Sequence, residues 1–493
     1  MIIKFSVLCI YFSVLIAIGY FSSKKISNIT DYYVGGKKLQ YWVAALSARA
    51  TGESGWLLIG VTGMGALIGV KAFWIVLGEV LGVWISWQYM AKKFKSMTDE
   101  FESITITDFL VSRFQSTNQV LRFISATALS LFVVIYVSAQ IDITGKTFES
   151  FLNLNYYMGI GIGFGIVVVY IFSGGFIAVA VSDFFQGILM FLGLIILPIV
   201  TYFTISVENG ILDVLASVDP ALVNIWGDGG FNAINIASVI GFLSIGIGFM
   251  GSPQVYVRFI AIKNEQEIEK GKWVALWFTF LTDSCAVIIG MLGRYLFTQI
   301  GDNPESILGN AGEDVLSLVL GHVMPTFIVG IYIAVVLSAV MSTVDSLLVL
   351  ASSAVTRDFY QKIINPDIDQ DSLVKLSRLI TLILAILALG VSIVISIISP
   401  TRTVFWFVIF GWSGIAATFC PVIILSIFWK GMTEWGAISS MVTGFLCVPF
   451  FKFVVPKFPH MGPYIQNLDV MFPSVFFAML MGFVFSIYKK RLG

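Results

Sequence analysis

Apolar residues run along this chain in long unbroken stretches, not in the alternation of half-buried strands. A helix crossing a bilayer needs about 20 mostly apolar residues. Thirteen stretches approach or exceed that length, at roughly 3–21, 42–66, 72–91, 122–148, 156–174, 176–205, 234–259, 273–299, 325–354, 376–399, 403–428, 435–453 and 470–488. Continuous runs predict helices and argue against a membrane β-barrel, whose strands alternate between lipid and lumen. The first stretch is expected to persist as a span. It is preceded by one lysine, Lys4, and is followed by Tyr20-Phe21-Ser22-Ser23-Lys24-Lys25 where a cleaved leader would carry small residues.

Composition agrees with the pattern. Of the 493 residues 58% are hydrophobic and 12% charged, with 29 Lys+Arg against 29 Asp+Glu, and the mean hydropathy is +0.93. Soluble chains average about 25% charged residues. A soluble enzyme, a disordered scaffold and a nucleic-acid binder are therefore excluded, and the neutral balance offers no field to recruit a polyanion. The four cysteines lie in apolar stretches without metal spacing, and His322 and His460 are far apart in sequence, so neither type suggests a zinc site. There is no G-x-x-x-x-G-K-[ST] phosphate loop, so an ion or solute gradient has to drive any transport. The longest segment outside the spans, about 206–233, is short of the ~40 residues a small domain needs. No signalling, nucleotide-binding or catalytic domain is expected, and no Ser/His or metal dyad suggests an intramembrane enzyme.

Lysine and arginine orient the chain. One set of alternate loops holds 21 of the 29, including Lys24, Lys25, Lys92, Lys93, Arg258, Lys263, Arg357 and Lys489. The opposite loops are acidic, with Glu208, Asp213, Asp302 and Glu313 among them. The N-terminus is expected outside and the C-terminus in the cytoplasm, which requires an odd number of spans.

Two stretches are interrupted. The second reads Ala44-Ala45-Leu46-Ser47-Ala48-Arg49-Ala50-Thr51-Gly52-Glu53-Ser54-Gly55-Trp56, and the seventh contains Gly246, Gly248, Gly251 and Pro253. Secondary transporters build solute sites from such discontinuous helices in equivalent positions of inverted repeats. Small residues at helix contacts and tolerated proline kinks give the structural alternative. Unwound backbone exposes carbonyl oxygens, which hard cations seek. The ninth stretch adds Ser342, Thr343, Asp345 and Ser346, with Ser342 and Ser346 on one helical face.

These residues resemble the sodium:solute symporter family, most closely its sodium/proline branch. The resemblance rests on Asp31-Tyr32-Tyr33-Val34-Gly35-Gly36-Lys37, Ser54-Gly55-Trp56-Leu57-Leu58-Ile59-Gly60, Tyr136, Gly174-Gly175-Phe176-Ile177-Ala178-Val179, Gly251-x-Pro253, Met341-Ser342-Thr343 and Trp429-Lys430-Gly431-Met432-Thr433-Glu434-Trp435-Gly436-Ala437, in order along the chain. It implies an all-α polytopic membrane protein with a leucine-transporter-type fold. One transmembrane domain would span 1–493, with an extra N-terminal helix at 3–21, inverted five-helix repeats at 42–205 and 234–428, and C-terminal helices at 435–488. It also implies a sodium site from Ala50, Glu53, Ala339, Ser342 and Thr343, and a second from Asp183, Asp345 and Ser346. Solute contacts would come from Ser54, Gly55, Trp56, Tyr136, Gln140, Gly248, Ser252 and Pro253.

The chain also departs from that branch. Gly52 stands where the branch has an aspartate, Glu53 replaces the following methionine, Arg49 replaces a glycine, and Ile245 replaces a tryptophan. Gln140 and Asp142 replace small or apolar residues. An ionisable group at mid-membrane costs roughly 2.5 kcal/mol or more, so Arg49, Glu53 and Asp142 are read as a charge network and Asp183 and Asp345 as ion ligands. Asp283 is read as structural.

The expected function is a sodium-coupled symporter in a plasma membrane. It would import a small organic solute, an amino acid such as proline first, by alternating access. Its partners are sodium, the solute and the lipid bilayer, with no organic cofactor. A proton-coupled carrier of another polar solute and a non-transporting sensor on the same fold remain as alternatives.

Overall fold

The structure is a computed structural model that describes residues 1–23, 29–171, 175–205 and 210–492. Lys24, Lys25, Gly174 and Glu208, used above for orientation or motif, lie outside the described residues. Eleven helical segments among these residues are long and apolar enough to cross a membrane. The single extended pairing described is a bridge between Leu39 and Ile262.

The principal helices are α1 (Ile2–Ser23), α2 (Tyr41–Trp56), α3 (Thr62–Ile68), α4 (Phe73–Ile85), α5 (Val120–Leu152), α6 (Tyr156–Ile171), α7 (Phe176–Thr204) and α8 (Ala233–Ser244). They continue with α9 (Pro253–Ala261), α10 (Glu265–Phe297), α11 (Thr326–Ser353), α12 (Gln370–Ile398), α13 (Val404–Phe428), α14 (Glu434–Phe453) and α15 (Met471–Leu492). Their ends follow capping chemistry that hydropathy does not report. α10 begins well before its apolar stretch because the Asn264 side chain accepts from the Glu267 amide and Glu265 and Glu267 occupy the first turn. α11 runs on past Ser353 as a wider-turned segment to Ile364. The connecting segments hold short helices, such as Ile106–Phe114 and Ile211–Val218, that the apolar pattern does not predict.

Both interruptions read from the sequence are present. In α2 the break falls at Ser54, with φ 56° and ψ −175°. This region is nearly closed to residues other than glycine. A wide turn over Leu57–Val61 follows, then α3, which ends at Gly69 with φ 54°. The second interrupted element is α8, which passes into a tight turn over Ile245–Met250 and resumes as α9 with Pro253 in its first turn.

Polar residues of the interrupted helices are inside with an apolar core, and the outer face is rich in large apolar side chains. Every residue from Ser47 to Trp56 is buried, whereas α12 exposes Leu379, Ile383, Ile386 and Leu387. Lipid is as apolar as leucine, so close packing holds the helices together more than the hydrophobic effect does. Small residues permit that approach: a Cβ on Gly82 would lie 2.0 Å from the Gly246 carbonyl oxygen. α2 sits centrally, packed against α7, α9, α10 and α11.

Candidate ion and solute sites

Five oxygens converge where α11 meets the interrupted α2. Ser342 Oγ lies 3.0 Å from the Ala50 carbonyl oxygen and 3.1 Å from that of Ala339. Thr343 Oγ1 lies 3.1 Å from the carbonyl oxygens of Ala339 and Thr51. The hydroxyls donate here, but a hydroxyl has lone pairs to offer once its proton turns away. Neutral oxygens at this spacing suit a weakly held monovalent cation. The Thr51 carbonyl is an addition that the sequence reading missed.

Asp183 lies one layer away in a dense polar cluster. The Ser47 hydroxyl donates to Asp183 Oδ2 at 2.7 Å, and the Thr51 hydroxyl does so at 3.3 Å. Arg258 Nη2 donates to the same oxygen at 2.8 Å and to Thr51 Oγ1 at 2.9 Å, and also bonds Ser346. Arg258, expected from the sequence among the cytoplasmic loop charges, is completely buried. Its place near the end of an apolar stretch disguised it, since nothing local separates a loop arginine from one turned inward. Asp183 Oδ1 and both carboxylate oxygens of Asp345 have no hydrogen-bond partner among the described residues.

The break at Ser54 organises the expected solute positions. The Gln140 side-chain oxygen accepts from the Gly55 amide at 3.2 Å, and Ser54 Oγ accepts from the Trp56 amide at 3.1 Å, so side chains satisfy the freed backbone. The Tyr136 hydroxyl bonds Ser54, and its ring meets Trp412 edge-on at 6.3 Å. Trp412 bridges to the second break: Nε1 donates to the Ile245 carbonyl at 3.0 Å, and a Cβ on Gly248 would lie 2.2 Å from its ring. Ser252 donates its amide to the Gly248 carbonyl at 3.2 Å, beside Pro253. The Gln140 amide nitrogen and Trp56 Nε1 are buried without a hydrogen-bond partner among the described residues. Sequence reasoning missed Trp412, because one aromatic within a hydrophobic helix gives no signal of its own.

The grouping of Arg49, Glu53 and Asp142 divides in two. Arg49 forms an ion pair with Glu53 one turn along α2 and approaches Glu79 Oε2 at 3.4 Å. Its guanidinium stacks on Phe249, 4.3 Å from the ring centroid. Asp283 completes this cluster: a carboxylate oxygen from each of Glu53, Glu79 and Asp283 lies within 4.8 Å of the others. Asp283 is thus part of a buried charge cluster, not an isolated structural residue. Sequence reasoning missed Glu79, whose signal is the same as that of Glu53, an ionisable residue inside an apolar stretch.

Asp142 belongs instead to a separate cluster. Arg402 Nε donates to Asp142 Oδ1 at 3.0 Å, and Tyr156 donates to the same oxygen. Lys146 pairs with Glu313 Oε2 at 2.5 Å, and Glu313 also accepts from the Val404 amide. Burial pushes the Glu313 carboxyl above its ordinary range, with Lys146 pulling the other way. A cavity of about 270 Å³ opens beside this cluster, lined by Lys146, Thr147, Glu313 and Pro400 among others.

Interrupted helices that enclose polar side chains and cation-seeking oxygens inside a lipid-facing bundle define a membrane carrier, not an enzyme. The chain belongs to the sodium:solute symporter family, which it matches over residues 32–444. It is 36% identical to the high-affinity proline transporter PutP of Bacillus subtilis (strain 168) over 434 residues, 87% of this chain and 88% of that one. It is 31% identical to the osmoregulated proline transporter OpuE of the same organism, over 98% and 94% of the two chains. With a sodium/proline symporter of Staphylococcus aureus (strain JH9) it shares 30% identity over 99% and 93%. A solved Na+-coupled sialic acid symporter, substrate-bound and outward-open, superposes with a TM-score of 0.75 over 97% of this chain and 98% of that one, at 18% identity. A nucleobase-cation-symport-1 family transporter in a closed conformation gives 0.54 over 92% and 96%, at 11% identity. These two share the fold alone.

Proposed function

We propose that this symporter imports a small amino acid, proline first, by alternating access across a plasma membrane. The observation that carries the reading is the meeting of the Ser342 and Thr343 hydroxyls with the Ala50, Thr51 and Ala339 carbonyls at the break of α2. Sodium, with the Glu53 carbonyl as a further ligand, would tie α11 to α2 and stabilise the form that accepts solute. The solute would then lie between the two breaks, against Ser54, Gly55, Trp56, Tyr136, Gln140, Gly248, Ser252 and Pro253. By linkage, solute must raise sodium affinity by the factor that sodium raises solute affinity. The names of the bacterial relatives support proline as the first solute to test.

A second sodium at Asp183, Asp345 and Ser346 would have to share Asp183 with the Arg258 guanidinium. Asp183 Oδ1 and the two Asp345 oxygens are the atoms open to it. Thirteen spans arranged as five-plus-five inverted repeats fit this scheme. In support, the Tyr41–Glu100 segment is interrupted at Gly69, and Tyr156–Ile171 is a further apolar helix. An external N-terminus and a cytoplasmic C-terminus follow from the lysine and arginine distribution.

Uptake into proteoliposomes under an imposed sodium gradient tests the reading, with amino acids, sugars and monocarboxylates as competitors. Proline uptake that collapses with the gradient is expected. Uptake indifferent to sodium would end the coupling proposal, and failure of proline to compete would end the solute assignment.

A further inference from the structure

The cluster around Arg49 has more negative charge than its guanidinium can neutralise. Three helices build it: α2 provides Arg49 and Glu53, α4 provides Glu79, and α10 provides Asp283. Each of the four is at most 1% exposed. Arg49 pairs with Glu53 and donates to Glu79 Oε2 at 3.4 Å, which leaves Asp283 without an ion pair among the described residues and one guanidinium facing three carboxyls. Among the described residues, the other titratable groups that interact electrostatically with the pair are Tyr136 on α5 and Cys285 on α10, and neither brings positive charge. Charges left uncompensated in a buried interior cost several kcal/mol each.

The second observation is the way the two carboxyls meet. A carboxylate oxygen of Glu79 lies within 4.8 Å of one of Asp283, and both groups are buried. The Thr282 hydroxyl donates to Asp283 Oδ1 at 3.1 Å, but no donor among the described residues reaches Asp283 Oδ2. An ionised carboxylate only accepts hydrogen bonds, so two of them cannot bond each other. A single proton held between them supplies the missing donor and removes one buried charge.

We propose that Glu79 and Asp283 form a proton-binding site, one proton bridging their carboxyls while Glu53 pairs with Arg49, and that the bundle transports only with this proton in place. The proton comes from solvent and returns to it, with no other bond made or broken. The site is distinct from the oxygens at Ser342 and Thr343, and its proton is a second ion beside sodium. Only the transport requirement rests on the carrier reading; the proton itself does not.

Infrared difference spectroscopy on the purified full chain, titrated with alkali in sodium-free buffer, tests the site directly. Wild type is expected to lose a protonated-carboxyl band that shifts in heavy water, and Glu79→Gln and Asp283→Asn are each expected to lack it. The amides keep a donor between the two positions, and the wild-type titration needs no variant. A band unchanged in both variants, or absent from wild type at every pH, overturns the site. So does a band removed by sodium at constant pH, which would make sodium the ligand. In proteoliposomes, uptake should fall about tenfold per pH unit above the release point, the slope of one proton. Both variants should lose that slope. An unaltered slope in them overturns the transport requirement, and an absence of all uptake overturns the carrier reading while the infrared band stands.

Discussion

Arg258 Nη2 and Asp183 Oδ2 are joined by a 2.8 Å charge-assisted hydrogen bond between two fully buried side chains. The guanidinium is a cation built into the chain, and it satisfies Asp183 Oδ2 together with Ser47, Thr51 and Ser346. Removing one partner of such a pair costs about 3–5 kcal/mol, because the other charge is left in the interior. Asp183→Ala is therefore expected to lower the thermal midpoint in detergent sharply, and adding Arg258→Gln should recover part of the loss. A double variant no more stable than Asp183→Ala alone would refute the pairing.

Ser342 and Thr343 lend their hydroxyls to the proposed sodium site. Replacing either with alanine removes one oxygen and should raise the sodium concentration for half-maximal uptake about tenfold, equivalent to about 1.4 kcal/mol. Sodium activation curves of purified variants decide this, and an unmoved curve in both would relocate the ion.

Ser54 holds a backbone conformation that costs on the order of 1–3 kcal/mol in any residue but glycine. Ser54→Gly should raise the thermal midpoint by relieving that strain. The same change removes the hydroxyl that bonds Tyr136 and the Trp56 amide, so uptake should fall. Ser54→Ala should lose on both measures. A glycine variant that is both less stable and fully active would contradict the strain reading.

Arg402 fastens Asp142 and Tyr156 beside the cavity that Thr147 helps to line. Arg402→Ala should loosen the packing beside this cavity and ease access to it. A Thr147→Cys reporter should then react several-fold faster with a membrane-impermeant maleimide than in the parent, measured over the background of the four native cysteines. Equal rates would show that the cluster does not restrict access to the cavity.

Much of this protein was legible before folding. The interruptions at Ser54 and around Gly248–Pro253 were visible because glycine, serine and proline disturb a helix wherever it lies. Ser342 and Thr343 were visible through the family motif around them. Arg258 was not: an arginine at the end of an apolar stretch reads the same whether it meets cytoplasm or turns inward to Asp183. Sequence places Gln140 at the solute but does not disclose that its oxygen accepts from the Gly55 amide while its nitrogen has no hydrogen-bond partner among the described residues.

Sequence alone determined the membrane class, the two places where helices break, and the family, because these depend on local hydropathy, backbone preference and short motifs. Tertiary structure decided which charge answers which. Arg49 could have served Asp142 as readily as Glu53, and Asp283 had no visible partner until α4 and α10 brought Glu79 beside it. Residues far apart along the chain neutralise one another only after the helices choose their neighbours. In lipid that choice depends on close backbone contacts, such as Gly82 against Gly246, which no stretch of sequence read by itself discloses.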